Sequence, residues 1–169
     1  PVPFGGDDAQ LISIDEGVGK MRAAIAGRQD PRLTICGRTS AIAITGVEDT
    51  IKRLKAYEAA GVDMLFIAGL KNREQLDAVA SAVKKPLFLG SVPEDMMDLD
   101  YLSARNVRVC LQGHHQFWAG VQGVYNTLKA LRDGTKPSKL PNVASADLQK
   151  KLLRQADYNK WSKDFLNTK

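Results

Sequence analysis

Both histidines of the chain stand side by side in VRVCLQGHHQFW, residues 107–118, where an apolar run ends and an amphipathic one begins. If the first part is a strand and the second a helix, His114 lies just past a strand's carboxyl end, at the head of the next helix. Catalytic groups gather at that end in parallel α/β folds. The positive end of a helix dipole disfavours an added cationic charge, which suits an imidazole that donates or accepts a hydrogen bond. His115, one residue on, would point elsewhere. A plainer reading makes one histidine a helix cap and leaves the other in solvent. Arg38, in ICGRTSA, holds the same place after the apolar run LTIC. A strand-end arginine is often only a surface ion-pair partner. Taken together, though, a guanidinium and an imidazole at strand ends suit a small carboxylate substrate, because the guanidinium fork matches a carboxylate with two hydrogen bonds.

The elements that would position these groups alternate along the chain. In ISIDEGVGKMRAAIAGR, Ser13 and Glu16 form a capping box, and Ile14, Val18, Met21 and Ile25 share one helical face. A second helix begins near Val47, with Glu48 and Asp49 in its first turn and Gly61 as a left-handed cap. Asn72 caps a third, with Gln75 at the capping-box position and Pro86 barring continuation. A short helical segment follows around Met97 to Ala104, and a long helix from His114 carries Phe117, Val121, Val124, Leu128 and Leu131 on one stripe. Between them the apolar runs LTIC, DMLFIAG, PLFLG and VRVCL read as strands. Their centres at Ile35, Phe66, Phe88 and Val109 are 31, 22 and 21 residues apart, room for about one helix per connection. Short, nearly continuous apolar strands of this kind belong to a parallel sheet covered by helices. A doubly wound sheet and a (β/α)8 barrel both fit.

At 169 residues and 44% hydrophobic content, the chain suits one ordinary globular domain. Its 24 basic and 19 acidic residues alternate rather than cluster, apart from a Lys-rich end, so the net charge of +5 reads as a solvated surface and no nucleic-acid partner is expected. No apolar run reaches the ~20 residues that span a bilayer, so no membrane partner is expected either. Cys36 and Cys110 each sit within an apolar run, as buried free thiols would, which favours a reducing, cytoplasmic setting. The opening PVPFGGDD, without an initiator Met, reads as a loop and suggests a fragment of a longer protein. GVGK (residues 17–20) imitates the end of a phosphate loop, but Ile14 and Met21 stand where its first Gly and its Ser or Thr are needed, so it reads as helix. The acidic run PEDMMDLD reads as a solvated loop with carboxylates near a helix start, and Tyr158, Trp161 and Phe165 as a packing stripe.

ICGRTSA, the run GVEDTIKRLKAYEAAGVDMLFIAGL and VRVCLQGHH together resemble the isocitrate lyase and phosphoenolpyruvate mutase superfamily, from about Leu11 to Leu131. Several consequences follow from that resemblance. The fold would be α/β, the C-terminal half (strands five to eight) of a (β/α)8 barrel over residues 1–135, with a C-terminal helical extension over 136–169. The chemistry would be C–C or P–C bond making or breaking beside the carboxylate of a small 2-oxo acid. Ser40, Ala68-Gly69 and Gln112-Gly113-His114 stand where lyases and mutases of the superfamily usually carry other residues, and all three resemble the oxaloacetate decarboxylase branch, with Arg38 and His114 binding substrate and acting in catalysis and His115 incidental. Gly90-Ser91 stand where that branch can place a tyrosine. A 2-methylisocitrate lyase-like or phosphonomutase activity, or a non-catalytic remnant, are the alternatives. The resemblance also implies a magnesium cofactor whose ligands lie on the absent first four strands, so no metal residue falls in this chain. It further implies a homo-oligomer, dimer or tetramer, or association with the missing barrel half, with the C-terminal helices embracing a neighbour.

Overall fold

The computed structural model describes residues 10–166, so PVPFGGDD lies outside the described residues. Its elements run α1 (Ile14–Gly27), β1 (Cys36–Thr39), α2 (Ala41–Ile44), α3 (Val47–Ala60), β2 (Met64–Ile67), α4 (Arg73–Ala82), β3 (Leu87–Leu89), a 3-10 turn (Glu94–Met96), α5 (Leu99–Ala104), β4 (Val107–Cys110) and α6 (His115–Arg132). A second 3-10 turn (Pro137–Lys139), α7 (Ala146–Leu152) and α8 (Gln155–Leu166) follow. The four strands are parallel and neighbour one another in chain order, β1-β2-β3-β4. A doubly wound sheet reverses its order at a switch point. These four strands show no such reversal, the order found in half of a (β/α)8 barrel.

Local chemistry explains most element ends. Ser13 Oγ accepts from Glu16 N at 3.1 Å, but the Glu16 carboxylate pairs with Lys20 at 2.8 Å instead of returning to the cap. Asn72 accepts from Gln75 N at 3.0 Å, and Gln75 Oε1 reaches back to the Lys71 N–H at 2.9 Å. Gly61 ends α3 at φ +98°, as the left-handed cap requires. Asp98, from the acidic run, caps α5 by accepting from Tyr101 N. Residues 17–20 are helical, as expected.

The first strand is displaced from its expected place. LTIC gives way to Cys36–Thr39, because Leu33 closes a turn on Asp30, while Asp63 takes the Ile35 N–H at 2.8 Å and returns its own N–H to Ile35 O at 2.9 Å. The inward positions of this strand are Gly37 and Thr39, which carry no aliphatic bulk for a hydropathy pattern to detect. Tyr57 of α3 supplies it. Its ring is buried over Gly37, where an added Cβ would lie 3.0 Å from Cδ2, and against Gly17 of α1, where one would lie 2.8 Å from Cε1.

Along the strands, side chains alternate between faces. Leu65 and Ile67 of β2 and Leu87 and Leu89 of β3 point to the side covered by α3 and α4, and they join Leu54, Leu76, Val79, Met96 and Leu102 in the core. The chain divides into two compact units, one ending at Gly113 and the other beginning at His114; the sequence reading draws the division after residue 135. In the second unit, no residue of α6, α7 or α8 is buried, and the α6 stripe of Phe117, Val121, Val124, Leu128 and Leu131 is exposed, as are Tyr158, Trp161 and Phe165 of α8. No described helix is long and apolar enough to cross a membrane.

Two stability outcomes follow. Gly17→Ala should cost roughly 1–3 kcal/mol, the scale of overpacking in a filled core, and Tyr57→Phe in the same chain should restore part of it, because the hydroxyl is the atom nearest the added methyl. Denaturant midpoints check this, and additive losses would contradict it. The Asp63 carboxyl is held below the usual carboxylate range, chiefly by the Ile35 N–H and also by Arg28 at 2.7 Å. A depressed folded-state value stabilises above the unfolded value and is lost as pH falls through the folded one. Stability at neutral pH minus stability in mild acid should therefore shrink in Asp63→Ala relative to the parent.

Candidate active site

Among the described residues of the first unit, no helix layer covers the face of the sheet away from α3 and α4. Arg38, Phe66, Phe88 and Val109 are register partners and form one row across all four strands. Arg38 lies in β1, not beyond it, because that strand is shifted toward the C-terminus. Its side chain is exposed, with no hydrogen-bond or ion-pair partner among the described residues, and its Cζ sits over the Phe66 ring, 5.1 Å from the centroid. Phe66 and Phe88 are stacked at 4.4 Å between centroids and 9° between planes.

Most other arginines of this unit differ in that respect. Arg28 is bound by Asp63, Arg32 by Asp30, Arg53 by Asp49, and Arg105 by Asp77. Arg73 and Arg105 flank the Tyr101 ring, but Arg73 also donates to Asp95 O at 2.8 Å, so both serve to pack α4 against α5. Arg38 keeps its N–H donors available, and a guanidinium in that state binds a carboxylate in two-pronged fashion.

The carboxyl ends of the strands are aligned by ladder bonds that continue past each strand: Ala68 N donates to Thr39 O, Gly90 N to Ile67 O, and Leu111 N to Leu89 O, at 2.9–3.1 Å. Thr39 Oγ1 accepts from Ala41 N at 3.1 Å and turns β1 into α2. After β2 the chain passes through Gly69 at φ +96°, where a Cβ would lie 2.9 Å from the Ala43 methyl. A larger side chain is barred there on both counts. Gly90 adjoins the Phe66 ring with ordinary contacts, so that position has room for a Cβ.

His114 opens the second unit. It occupies the N-cap position of α6 at φ −113°, makes no side-chain capping bond, and is exposed; its carbonyl accepts from Phe117 N at 3.1 Å. The reading of a histidine as a side-chain cap is thus set aside for His114, and His115 is the first residue of α6 and also exposed. Arg38 and His114 belong to different units. Burial pushes the thiols of Cys36 and Cys110 up, so neither is an activated nucleophile, and both are free.

Among the described residues no group of three His, Cys, Asp or Glu side chains could hold a metal ion, and the row on the open face carries a cation and three apolar groups. The described residues on this face do not fit a magnesium site. The sequence reading missed Phe66 and Phe88. Their sign was a common offset, each lying two residues before the Ala68-Gly69 or Gly90 end of its strand, as Arg38 lies two before Ser40.

An oxaloacetate decarboxylase of Bradyrhizobium sp. (strain ORS 278) is 51% identical over 166 residues, 98% of this chain and 58% of that protein. One from Bradyrhizobium diazoefficiens is 50% identical over 169 residues, 100% of this chain and 59% of that protein. The chain therefore spans somewhat under three fifths of the curated relatives it matches. Among solved structures, a phosphonopyruvate hydrolase in complex with oxalate and Mg++ superposes with a TM-score of 0.76 at 26% identity, over 96% of this chain and 60% of that one. A 2,3-dimethylmalate lyase of the PEP mutase/isocitrate lyase superfamily shares the fold, with a TM-score of 0.75 at 20% identity over 91% of this chain and 57% of that one. The family model described as phosphoenolpyruvate phosphomutase matches residues 5–132, and with that match the chain belongs to the phosphoenolpyruvate phosphomutase family.

Proposed function

We propose that the protein carrying this chain decarboxylates oxaloacetate to pyruvate and carbon dioxide. The observation that carries this reading is identity of about half along nearly the whole chain to oxaloacetate decarboxylases. Arg38, with its fork unspent on an open sheet face, supports it.

In this reaction the C3–C4 bond breaks, its electron pair moves to C3 and is delocalised onto the 2-oxo oxygen, carbon dioxide leaves, and a proton is then taken up at C3. Arg38 holds a substrate carboxylate through two charge-assisted hydrogen bonds and so fixes the orientation of the bond that breaks. His114, at the head of α6 and without a capping bond of its own, donates a hydrogen bond to substrate and discriminates oxaloacetate from bulkier 2-oxo acid adducts. Magnesium ligands are assigned to strands outside this chain, and the sheet face left open here is covered in the whole protein by the remaining strands or by another copy. A homo-oligomer is part of the same reading, with the exposed stripes of α6 and α8 as contact faces. The setting is cytoplasmic.

Cleavage of a P–C bond in phosphonopyruvate is the second reading, favoured by the 26% identity to a phosphonopyruvate hydrolase, whose substrate is also a small 2-oxo acid with a carboxylate for Arg38. Steady-state turnover of oxaloacetate and phosphonopyruvate by the full-length protein, with magnesium present, separates the two.

Arg38→Ala should lower kcat/KM for oxaloacetate by roughly 1.5–3 kcal/mol, the scale of a lost charge-assisted pair. His114→Gln should reduce the rate while circular dichroism stays unchanged, and His115→Gln should do little. Equal effects from the two histidine changes would remove His114 from the mechanism.

A further inference from the structure

An arginine that is to grip a carboxylate on an open sheet face has to be held without spending its N–H donors. An acidic neighbour would orient the guanidinium but would also occupy the fork. An aromatic ring beneath it orients the group through its face and leaves the edge donors free. Arg38 has the second arrangement, with no acidic partner among the described residues and the Phe66 ring under Cζ at 5.1 Å.

Phe66 is in turn held by a second ring. Phe88 stacks on it at 4.4 Å and 9°, and the backbone dictates that contact, because Arg38, Phe66 and Phe88 are Cα partners in successive strands. Side chains of one face at one level of a parallel sheet stand about 4.8 Å apart, the spacing at which flat rings stack. The row is also covered from behind: Leu65, Ile67, Leu87 and Leu89, the chain neighbours of the two rings, are buried in the core and leave the strands no freedom to rotate.

We propose that Phe66 and Phe88 are positioning residues for Arg38, a stacked platform that pre-orders the guanidinium so that its fork meets a small dicarboxylate without first losing side-chain freedom. The proposal rests on the reading of Arg38 as the carboxylate clamp, and it assigns a task to two residues that would otherwise count as barrel filling. A packing role alone would affect stability equally whether or not Arg38 is present. A platform for Arg38 would matter to ligand binding only when Arg38 is present.

The test is a double-mutant cycle on the full-length protein in magnesium-containing buffer, read by calorimetric affinity for oxalate and by KM and kcat for oxaloacetate. Phe66→Leu should weaken oxalate binding and raise KM by roughly 3- to 10-fold, the scale of one cation–π contact, with a smaller change in kcat. Phe66→Tyr, which keeps the ring, should restore most of the affinity. In the Arg38→Ala background, Phe66→Leu should produce no further loss. Phe88→Leu removes the supporting ring without touching Arg38 and should give the same pattern at smaller amplitude, which keeps the test open if Phe66→Leu proves insoluble. Equal losses in both backgrounds, or unchanged affinity in Phe66→Leu, would overturn the platform. If the cycle holds for oxalate while oxaloacetate is not turned over, the decarboxylase reading falls and the platform stands; if the parent protein does not bind oxalate, the clamp and the platform fall together.

Discussion

The period-two alternation of a parallel strand governs this chain, because it decides which side chains are locked into the core and which remain for chemistry. Leu65, Ile67, Leu87 and Leu89 take the helix-covered face, so Phe66 and Phe88 must take the other, and Arg38 joins them through its pairing with Phe66. A slip of one residue in β2 or β3 would exchange its leucine or isoleucine positions for phenylalanine, and one in β1 would bury the guanidinium. Burying a leucine side chain is worth roughly 1.5–3 kcal/mol, so four of them outweigh any alternative register. The register of β1, which lacks such residues, is secured differently: Tyr57 fits against Gly37, and Asp63 clasps Ile35 and Arg28 just before the strand begins.

Much of this was legible in the sequence. The caps at Ser13, Asn72 and Gly61 mark helix ends by local hydrogen bonding that needs no tertiary knowledge, and DMLFIAG, PLFLG and VRVCL mark strands by apolar runs. The first strand was misplaced by its neighbour's contribution, because the bulk that fills its inner face belongs to Tyr57, 20 positions further along the chain than Gly37. The choice between a doubly wound sheet and a barrel could not come from spacing alone, since both use one helix per crossover, and the resemblance to the superfamily decided it in favour of the order the sheet adopts. For the site, Arg38 was visible as a cation at a strand end. Its aromatic support was not, because a Phe in an apolar strand has the same sequence signature whether it faces the helices or a ligand.

The long α6 stripe shows a different limit. Phe117, Val121, Val124, Leu128 and Leu131 have the spacing of a core-facing helix, yet all are exposed. Periodicity records that a face is to be covered, not what covers it. The same holds for the open side of the sheet, with its apolar row beside a free guanidinium. Both features accord with a chain that spans under three fifths of the decarboxylases to which it is about half identical.

The account stands or falls on the bond that breaks. Oxaloacetate isotope-labelled at the carboxylate attached to C3, incubated with the full-length protein and magnesium and followed by carbon NMR, reports that bond directly. Protein-dependent transfer of the label to carbon dioxide and bicarbonate, with unlabelled pyruvate formed in equal amount and the rate lost in Arg38→Ala, is the predicted result. Label released no faster than in protein-free solution, or released equally fast by Arg38→Ala, would contradict it.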